Sequence, residues 1–458
     1  MKKKLYEMQM EGDIYTAISI FQSLPGQKKF LLESSLKHEQ HGRYSFIGTN
    51  PYMEISSANN VVSVMKEDGD KTTVNTRFLD VIKQYIPDEV MEMPLPFVGG
   101  AVGYVGYDII RQYEEIGEML PDELEMPEAH VMFYRDVIVY DHIQQSISIV
   151  SLDDEGKEQE FQQRVEQLKQ WIQHGAKIEE PRHEKRNISF QAHTTESEFH
   201  RMVQRAKEDI LNGEIFQVVL SQRFSTKFTG DPFYFYRCLR KHNPSPYMFY
   251  VDFADYQIVG ASPESLLKGD GVNVVTNPIA GTRKRGKNEE EDRALEEELL
   301  QDEKELAEHR MLVDLGRNDL GRVCEIGTVE LTKYMAIEKY KHVMHIVSEV
   351  TGRKRQDINN SDVLASCLPA GTVSGAPKIR AMSIINELEK VKRNVYAGAV
   401  GYFSLHGSFD FALAIRTMIV KDEKAVIQAG AGIVYDSDPH KEFQEVMNKA
   451  RAFMEVEV

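Results

Sequence analysis

The chain has 458 residues, 55 basic and 72 acidic side chains, a net charge of −17 and a hydrophobic fraction of 41%. This is the balance of a globular protein with material for one large domain or two to three ordinary ones, and it excludes the basic patch needed for nonspecific nucleic-acid or anionic-membrane binding. Cys238, Cys324 and Cys367 form no CxxC, MKKKLYEMQMEGD holds no apolar signal core, and no apolar run reaches bilayer length, so a cytoplasmic enzyme of small metabolites is expected.

Residues 1 to about 150 read as short strands joined by tight turns: KKFLLESS, RYSFIG, NNVVSVMKEDGDKTTVN, LPFVGGAVGYVGYD and HVMFYRDVIVYDHIQQSISIVSL. Their alternation and their glycine-containing turns predict antiparallel pairing. From Asp153 to Asn187 the composition shifts to Glu, Gln, Lys and Arg, with Phe161, Val165, Leu168 and Ile172 at helical spacing. This predicts a surface helix, then the charged connector PRHEKRN, and a boundary in sequence between residues 1–187 and 188–458.

Gly281 to Lys287 spell GxxxxGK, but Asn288 stands where a phosphate-binding loop needs Ser or Thr, and the acids from Glu289 to Asp292 would repel a triphosphate. The run from Glu289 to Asp319 predicts one long helix. Projected as a helix, Glu308 falls inside the stripe of Met311, Leu312 and Leu315, with Glu305 at its edge. A carboxylate there is costly unless it is paired or binds a cation. A helix that ended or kinked before Leu315 would leave it in water instead.

In KHVMHIVSEVTG, His342 and His345 point to opposite faces of a strand and cannot chelate together, although either can serve as an acid or base. LPAGTVSGAPKIRAM sets a small, hydroxyl-bearing loop before a helix, where backbone amides can hold an anion or simply make a turn. Arg416 sits among apolar neighbours in a strand pattern, a setting that asks for a carboxylate partner or a bound anion.

The C-terminal run QAGAGIVYDSDPHKEFQEVMNKA predicts a strand, a turn and a helix capped by Asp438, with Pro439 in the first turn. Phe443, Val446, Met447 and Ala450 share one helix face; Glu442, Glu445 and Lys449 line another. That second face is either solvated or half of a metal and anion site. Magnesium takes oxygen ligands and keeps waters, so one carboxylate from each of two helices, Glu308 and Glu445, would suffice.

As an ordered set, GEIFQVVLSQRF, NPSPYM, GASPES, PIAGTRKRG, EHRMLVDLGRNDLGRV, HVMHIVSEVTG, PAGTVSGAPKIRAM, YAGAVGYF, IRTM and the C-terminal run resemble the chorismate-utilising enzymes, and within them the synthase subunits of anthranilate synthases. LLESS, GRYSFIG and PFVGGAVGY extend the resemblance into the N-terminal part. It implies an α+β fold: a large two-layer sandwich of mainly antiparallel sheets wrapped by helices, with the N-terminal part contributing to both sheets. It also implies conversion of chorismate and ammonia to anthranilate and pyruvate, Mg2+ as cofactor, and feedback inhibition by tryptophan. Ammonia would come from a separate glutamine amidotransferase subunit in a hetero-oligomer, because this chain carries no nucleophilic-cysteine motif of that kind.

The resemblance carries over residue by residue. Glu308 and Glu445 match magnesium ligands, with Glu305 and Glu442 beside them. Ala280, Gly281, Thr372, Tyr396, Arg416, Gly430, Ala431, Gly432 and Lys449 match groups that hold chorismate, partly through backbone amides. His345 and Glu264 match the acid-base pair, with Thr282 and Glu305 in the same catalytic group. Glu33, Ser34, Arg43, Asn243, Pro244, Ser245, Tyr247, Met248, Gly260, Val400 and Tyr402 match a tryptophan pocket, which can also persist as a purely structural feature. Gln217 stands where the water-using relatives have a lysine base, and Ala280 where many aminodeoxychorismate synthases have a lysine that attacks the ring. Two other readings are an aminodeoxychorismate synthase lacking that lysine and a non-catalytic tryptophan-binding regulator; the intact acidic pairs, His345 and Arg416 speak against the second.

Overall fold

Apolar residues alternate along the N-terminal strands, and each parity has its own core. In this computed structural model, which describes residues 3–34, 42–87, 90–175, 188–340 and 343–456, Phe30, Val139 and Val150 belong to one buried cluster, while their neighbours Leu31, Ile138 and Ile149 belong to another. A strand turns successive side chains to opposite faces, so a sheet covered on both sides sorts its residues in this way.

One sheet runs in the order Lys3–Glu11, Ser146–Asp154, Asp136–Asp141, Tyr44–Gly48, Phe30–Glu33, Tyr247–Asp252, Tyr256–Ser262, Thr417–Lys421, Lys424–Ile433, Gln217–Lys227 and Gln191–Ala192. The other runs Ile279–Lys284, Val343–Arg353, Asn273–Thr276, Ser265–Gly269, Phe409–Leu413, Ala399–Ser404, Gly100–Val105, Ala129–Tyr134, Met53–Ala58, Val61–Lys66 and Lys71–Val74. Their inner faces meet through aromatic contacts such as Phe30 with Tyr134 at 4.6 Å and Phe46 with Tyr402 at 5.9 Å between centroids. The outer faces are covered by helices. This is the expected α+β sandwich.

Both sheets take strands from either side of residue 187. Phe30–Glu33 pairs antiparallel with Tyr247–Asp252, and Ala399–Ser404 with Gly100–Val105. The two sequence regions therefore interleave, and the connector PRHEKRN, with the boundary at 187, lies outside the described residues. The helix before it, Glu158–His174, buries Phe161, Val165, Leu168 and Ile172, the four residues marked by their spacing.

The long helix expected from Glu289 to Asp319 is two helices, Glu289–Gln301 and Glu303–Gly321. Asp302 breaks them. Its carboxylate accepts from the Lys304 and Glu305 amides at 3.1 and 3.3 Å and so caps the second helix, competing with the continuous helix for those donors. That second helix runs unbroken past Leu315, which keeps Glu308 half-buried. At the C-terminus, Lys424–Ile433 leads through a turn into the Pro439–Met454 helix. Asp438 accepts from the Lys441 amide at 3.0 Å, and Val446, Ala450 and Phe453 are buried.

Candidate active site

The floor of the site is the C-terminal strand. Val219 and Ser221 pair with Gly432 and Gly430. A Cβ on Gly430 would come 2.7 Å from the Tyr396 hydroxyl, so a glycine here lets that hydroxyl lie directly on the strand. Gly432 rests against the Gln217 amide. Ala431, one residue between them, is fully buried on the core side and can offer a ligand only its backbone.

Two helices bring the acids to this floor. Burial raises the pKa of Glu308, and the charges of Glu305 on its own helix and Glu445 on the C-terminal helix raise it further. Glu442 is raised by burial and by Glu445, against a hydrogen bond from Ser437. Glu308 thus feels a carboxylate of the C-terminal helix, which sets Glu445 across from the Glu305 and Glu308 pair. Lys449 lies 2.7 Å from Glu445 and donates to the Gly430 carbonyl at 3.0 Å; Arg283 reaches Glu305 at 3.4 Å. Lys304 lowers both Glu308 and Glu442, so three cations at the margins stand against four carboxylates, an incomplete neutralisation that fits a divalent cation. Among the described residues no three of these carboxylates bring oxygens within 4.8 Å of one another. Magnesium asks for few protein ligands, because it keeps several of its waters.

Arg416 opens the strand Thr417–Lys421 from a left-handed backbone, φ +47°. Strain of this kind in a non-glycine residue is kept where the surrounding structure needs that direction. The guanidinium is open to solvent but ringed by protein, as on a cleft wall; burial lowers its pKa and the charge of Glu264 raises it. Among the described residues no carboxylate lies within ion-pair distance of it. An arginine so placed can receive an anion.

Glu264 follows the strand Tyr256–Ser262 and accepts a hydrogen bond from Thr372 Oγ1 at 2.9 Å. Burial pushes its carboxyl up to about 7, overcoming that bond and the charges of Lys449 and Arg416. The adjoining pocket is lined by Asn277, Leu312, Leu315, Gly316 and Ala370.

His345 lies on Val343–Arg353, opposite a bulge: Ala280 pairs with Ile346 and Thr282 with His345, leaving Gly281 as the extra residue at φ +67°. Glycine tolerates that conformation. His345 Nδ1 is 3.2 Å from the Gly281 carbonyl and 3.0 Å from Thr282 Oγ1. A carbonyl only accepts, so Nδ1 carries the proton and Nε2 presents a lone pair. Burial lowers the pKa of the ring, which keeps it neutral. His342 lies outside the described residues.

The GxxxxGK loop is already satisfied by its own acids. The Gly286 amide donates to Asp292 at 2.6 Å and the Lys287 amide to Glu291 at 2.8 Å, so the donors that would cradle a phosphate are taken.

One pair beneath the site went unread in the sequence. Fully buried Arg393 donates to Glu389 at 2.6 and 2.8 Å, to the Val373 carbonyl at 2.7 Å and to the Val219 carbonyl at 2.8 Å. It also lies 5.6 Å from the Tyr396 ring centroid. Glu389 accepts from the Ser221 amide and hydroxyl at 2.9 and 2.7 Å. One ion pair therefore ties the Thr372 loop, Tyr396 and the strand opposite Gly430 and Gly432. The pair is four residues apart, but Glu389 caps the Lys378–Leu388 helix, so helical periodicity gave no sign of it.

The expected tryptophan-pocket residues fall into groups. Glu33 and Met248 are cross-strand partners on the helix-covered face. Glu33 Oε2 takes the Tyr236 hydroxyl at 2.5 Å and Arg240 at 3.0 Å, while Oε1 is buried with no hydrogen-bond partner among the described residues. Val400 and Tyr402 face the core between the sheets, and Tyr247 spans to the other sheet through its bond to Asp410 at 3.0 Å. Gly260 lies under the Phe249 ring. Ser245 is buried, Ser34 half-buried and Pro244 exposed. Asn243 donates to the Ala452 carbonyl at 2.6 Å, and Arg43 pairs with Asp141 at 2.8 Å.

The model of the chorismate binding enzyme family matches residues 28–455. The chain is 46% identical over 463 residues to anthranilate synthase component 1 of Acetivibrio thermocellus, covering 98% of this chain and 94% of that relative. It is 41% identical to the component 1 of Lactococcus lactis subsp. lactis, covering 98% of each. The crystal structure of anthranilate synthase component I from Streptococcus pneumoniae TIGR4 superposes with a TM-score of 0.82 at 44% identity, covering 97% and 98% of the two chains. The menaquinone-specific isochorismate synthase MenF of Escherichia coli, at 19% identity and a TM-score of 0.74 over 99% of this chain and 95% of that one, shares the fold. With a family model spanning nearly its whole length and relatives above 40% identity, the chain belongs to the chorismate-binding enzymes.

Proposed function

We propose that the chain adds ammonia to C2 of chorismate, expels the C4 hydroxyl and eliminates pyruvate to give anthranilate, the entry step of tryptophan synthesis. The observation that carries the reading is the placement of Glu264, a carboxyl that is protonated in part at neutral pH, beside Arg416, a cation with no ion-pair partner among the described residues. Full-length identity to chains designated anthranilate synthase component 1 supports it.

Hydroxide is a poor leaving group, so Glu264 gives its proton to the departing C4 hydroxyl while Thr372 holds the other carboxyl oxygen. Arg416, Lys449, the Tyr396 hydroxyl and the amides around Gly430 and Gly432 hold the substrate carboxylates. His345, neutral and open at Nε2, takes the C2 proton as the enolpyruvyl group leaves. Bound magnesium, held by Glu308 and Glu445 with Glu305 and Glu442 beside them, would supply a Lewis acid for the ring carboxylate. Gln217 offers no base for water, and Ala280 offers no amine of its own, which leaves free ammonia as the nucleophile.

The component designation of the relatives points to a second component, which we assign as a glutamine amidotransferase. Tryptophan is the inhibitor we assign to the Glu33 region, where Oε1, without a hydrogen-bond partner among the described residues, is an acceptor for an ammonium group. Purified chain with chorismate, magnesium and ammonium should form a fluorescent product with the mass of anthranilate. A product that keeps the enolpyruvyl group and carries its amine at C4, or no product, would overturn the reading.

A further inference from the structure

We infer that Glu196, His200 and His440 form a second metal site, for zinc or a similar transition ion, away from the carboxylate cleft. Glu196 and His200 lie four residues apart on the Glu196–Leu211 helix and share a face. His440 is the second residue of the Pro439–Met454 helix, which packs against the first. Glu196 Oε1 is 3.0 Å from His440 Nδ1 and 3.6 Å from His200 Nε2, and all three ligand atoms lie within 4.8 Å of one another. Tetrahedral zinc with bonds of about 2.0–2.1 Å sets its ligand atoms roughly 3.3 Å apart. The two measured edges bracket that value.

Three further features suit the site to an ion. His200 Nε2 is screened from solvent and has no hydrogen-bond partner among the described residues, its nearest polar neighbour being Glu196 at 3.6 Å, so a nitrogen lone pair or N–H stands buried without a hydrogen bond. The His200 ring is held edge-on by Phe443, with centroids 6.2 Å apart and planes at 89°, which limits its rotation. His440 is exposed, leaving an open side for a water as fourth ligand. The Glu196 carboxylate also offsets the positive ends of the two helices that start here. Two imidazoles and one carboxylate select zinc, cobalt or nickel over magnesium, which prefers oxygen. The site sits at the amino end of the helix that carries Glu442, Glu445 and Lys449. The Lys207 ammonium bonds the Ser437 carbonyl just before that helix at 2.6 Å, and a bound ion would add a further tie between the two helices.

The test is a cobalt(II) titration of the full chain in excess magnesium, which keeps the carboxylate cleft filled. The native protein should take up one equivalent with the visible absorption of nitrogen-ligated cobalt, and zinc should displace it. His200→Ala and His440→Ala should each lose that equivalent, and Glu196→Gln, which removes only a charge, should weaken it at least tenfold. All three positions are solvent-accessible, and circular dichroism checks that the variants are folded. Zinc should also raise the melting temperature of the native chain but not of the His200→Ala chain. A native protein that binds no cobalt, or variants that bind as much, would overturn the site.

Discussion

Replacing Glu264 by Gln should make the protein more stable and nearly inactive, and the stability gain should depend on pH. Burial moves the Glu264 carboxyl from 4.5 to about 7, so the folded chain holds its proton more tightly than the unfolded chain. Folding is then penalised progressively as pH climbs from about 4.5 to about 7, and the whole penalty stands above that. At 1.36 kcal/mol per pKa unit it amounts to about 3 kcal/mol at pH 8. Glutamine is neutral in both states and can still accept the Thr372 hydroxyl, so Glu264→Gln escapes the penalty at pH 8 and gains nothing near pH 4.5. Calorimetric melting at both pH values reads this as a rise of several degrees at pH 8 only. Turnover should fall roughly 10²–10⁴-fold because the proton donor is gone. In the native enzyme kcat/KM should decline as pH rises through about 7, with neutral ammonia held constant because its supply also varies with pH. A stability gain equal at both pH values, or a variant that still turns over, would refute the reasoning.

Glu445→Gln should raise the magnesium concentration needed for half-maximal turnover by roughly 10–100-fold and leave tryptophan affinity unchanged; magnesium titration of anthranilate formation alongside calorimetric tryptophan binding checks both. Arg416→Gln removes a charge-assisted bond of about 1.5–3 kcal/mol and should lower kcat/KM for chorismate roughly 10–100-fold; steady-state kinetics at saturating magnesium measures it, and unchanged kinetics would dismiss Arg416 as the anion receptor. Glu33→Gln should raise the tryptophan concentration for half-inhibition roughly tenfold or more, read from inhibition curves, while the kinetic constants without tryptophan stay near native.

Much of the fold was legible because it is written in local periodicity. The short apolar runs in FLLE and YSFIG, the Phe161–Ile172 stripe, and Asp438 with Pro439 ahead of the last helix each report backbone geometry acting over a few residues. The same periodicity set Glu308 in an apolar stripe and Glu442 with Glu445 on one face. It did not find the break at Asp302, where a single carboxylate outbids the helix for two amides.

What the sequence determined by itself was which residues are chemically capable and which of them share an element. What only the tertiary structure decided was their state. Glu264 is an acid near neutrality because elements far apart in sequence enclose it. His345 keeps Nε2 open because a bulge at Gly281, on another strand, turns a carbonyl toward Nδ1. Arg416 has no ion-pair partner among the described residues because none of their carboxylates packs within reach of it. The Glu389–Arg393 support, the sorting of the Glu33 and Tyr402 groups to different faces, and the meeting of Glu196 with His440 likewise exist only after packing. Propensity acts over a few residues along the chain, whereas desolvation and charge act over a few ångströms in space, and it is the second scale that sets protonation.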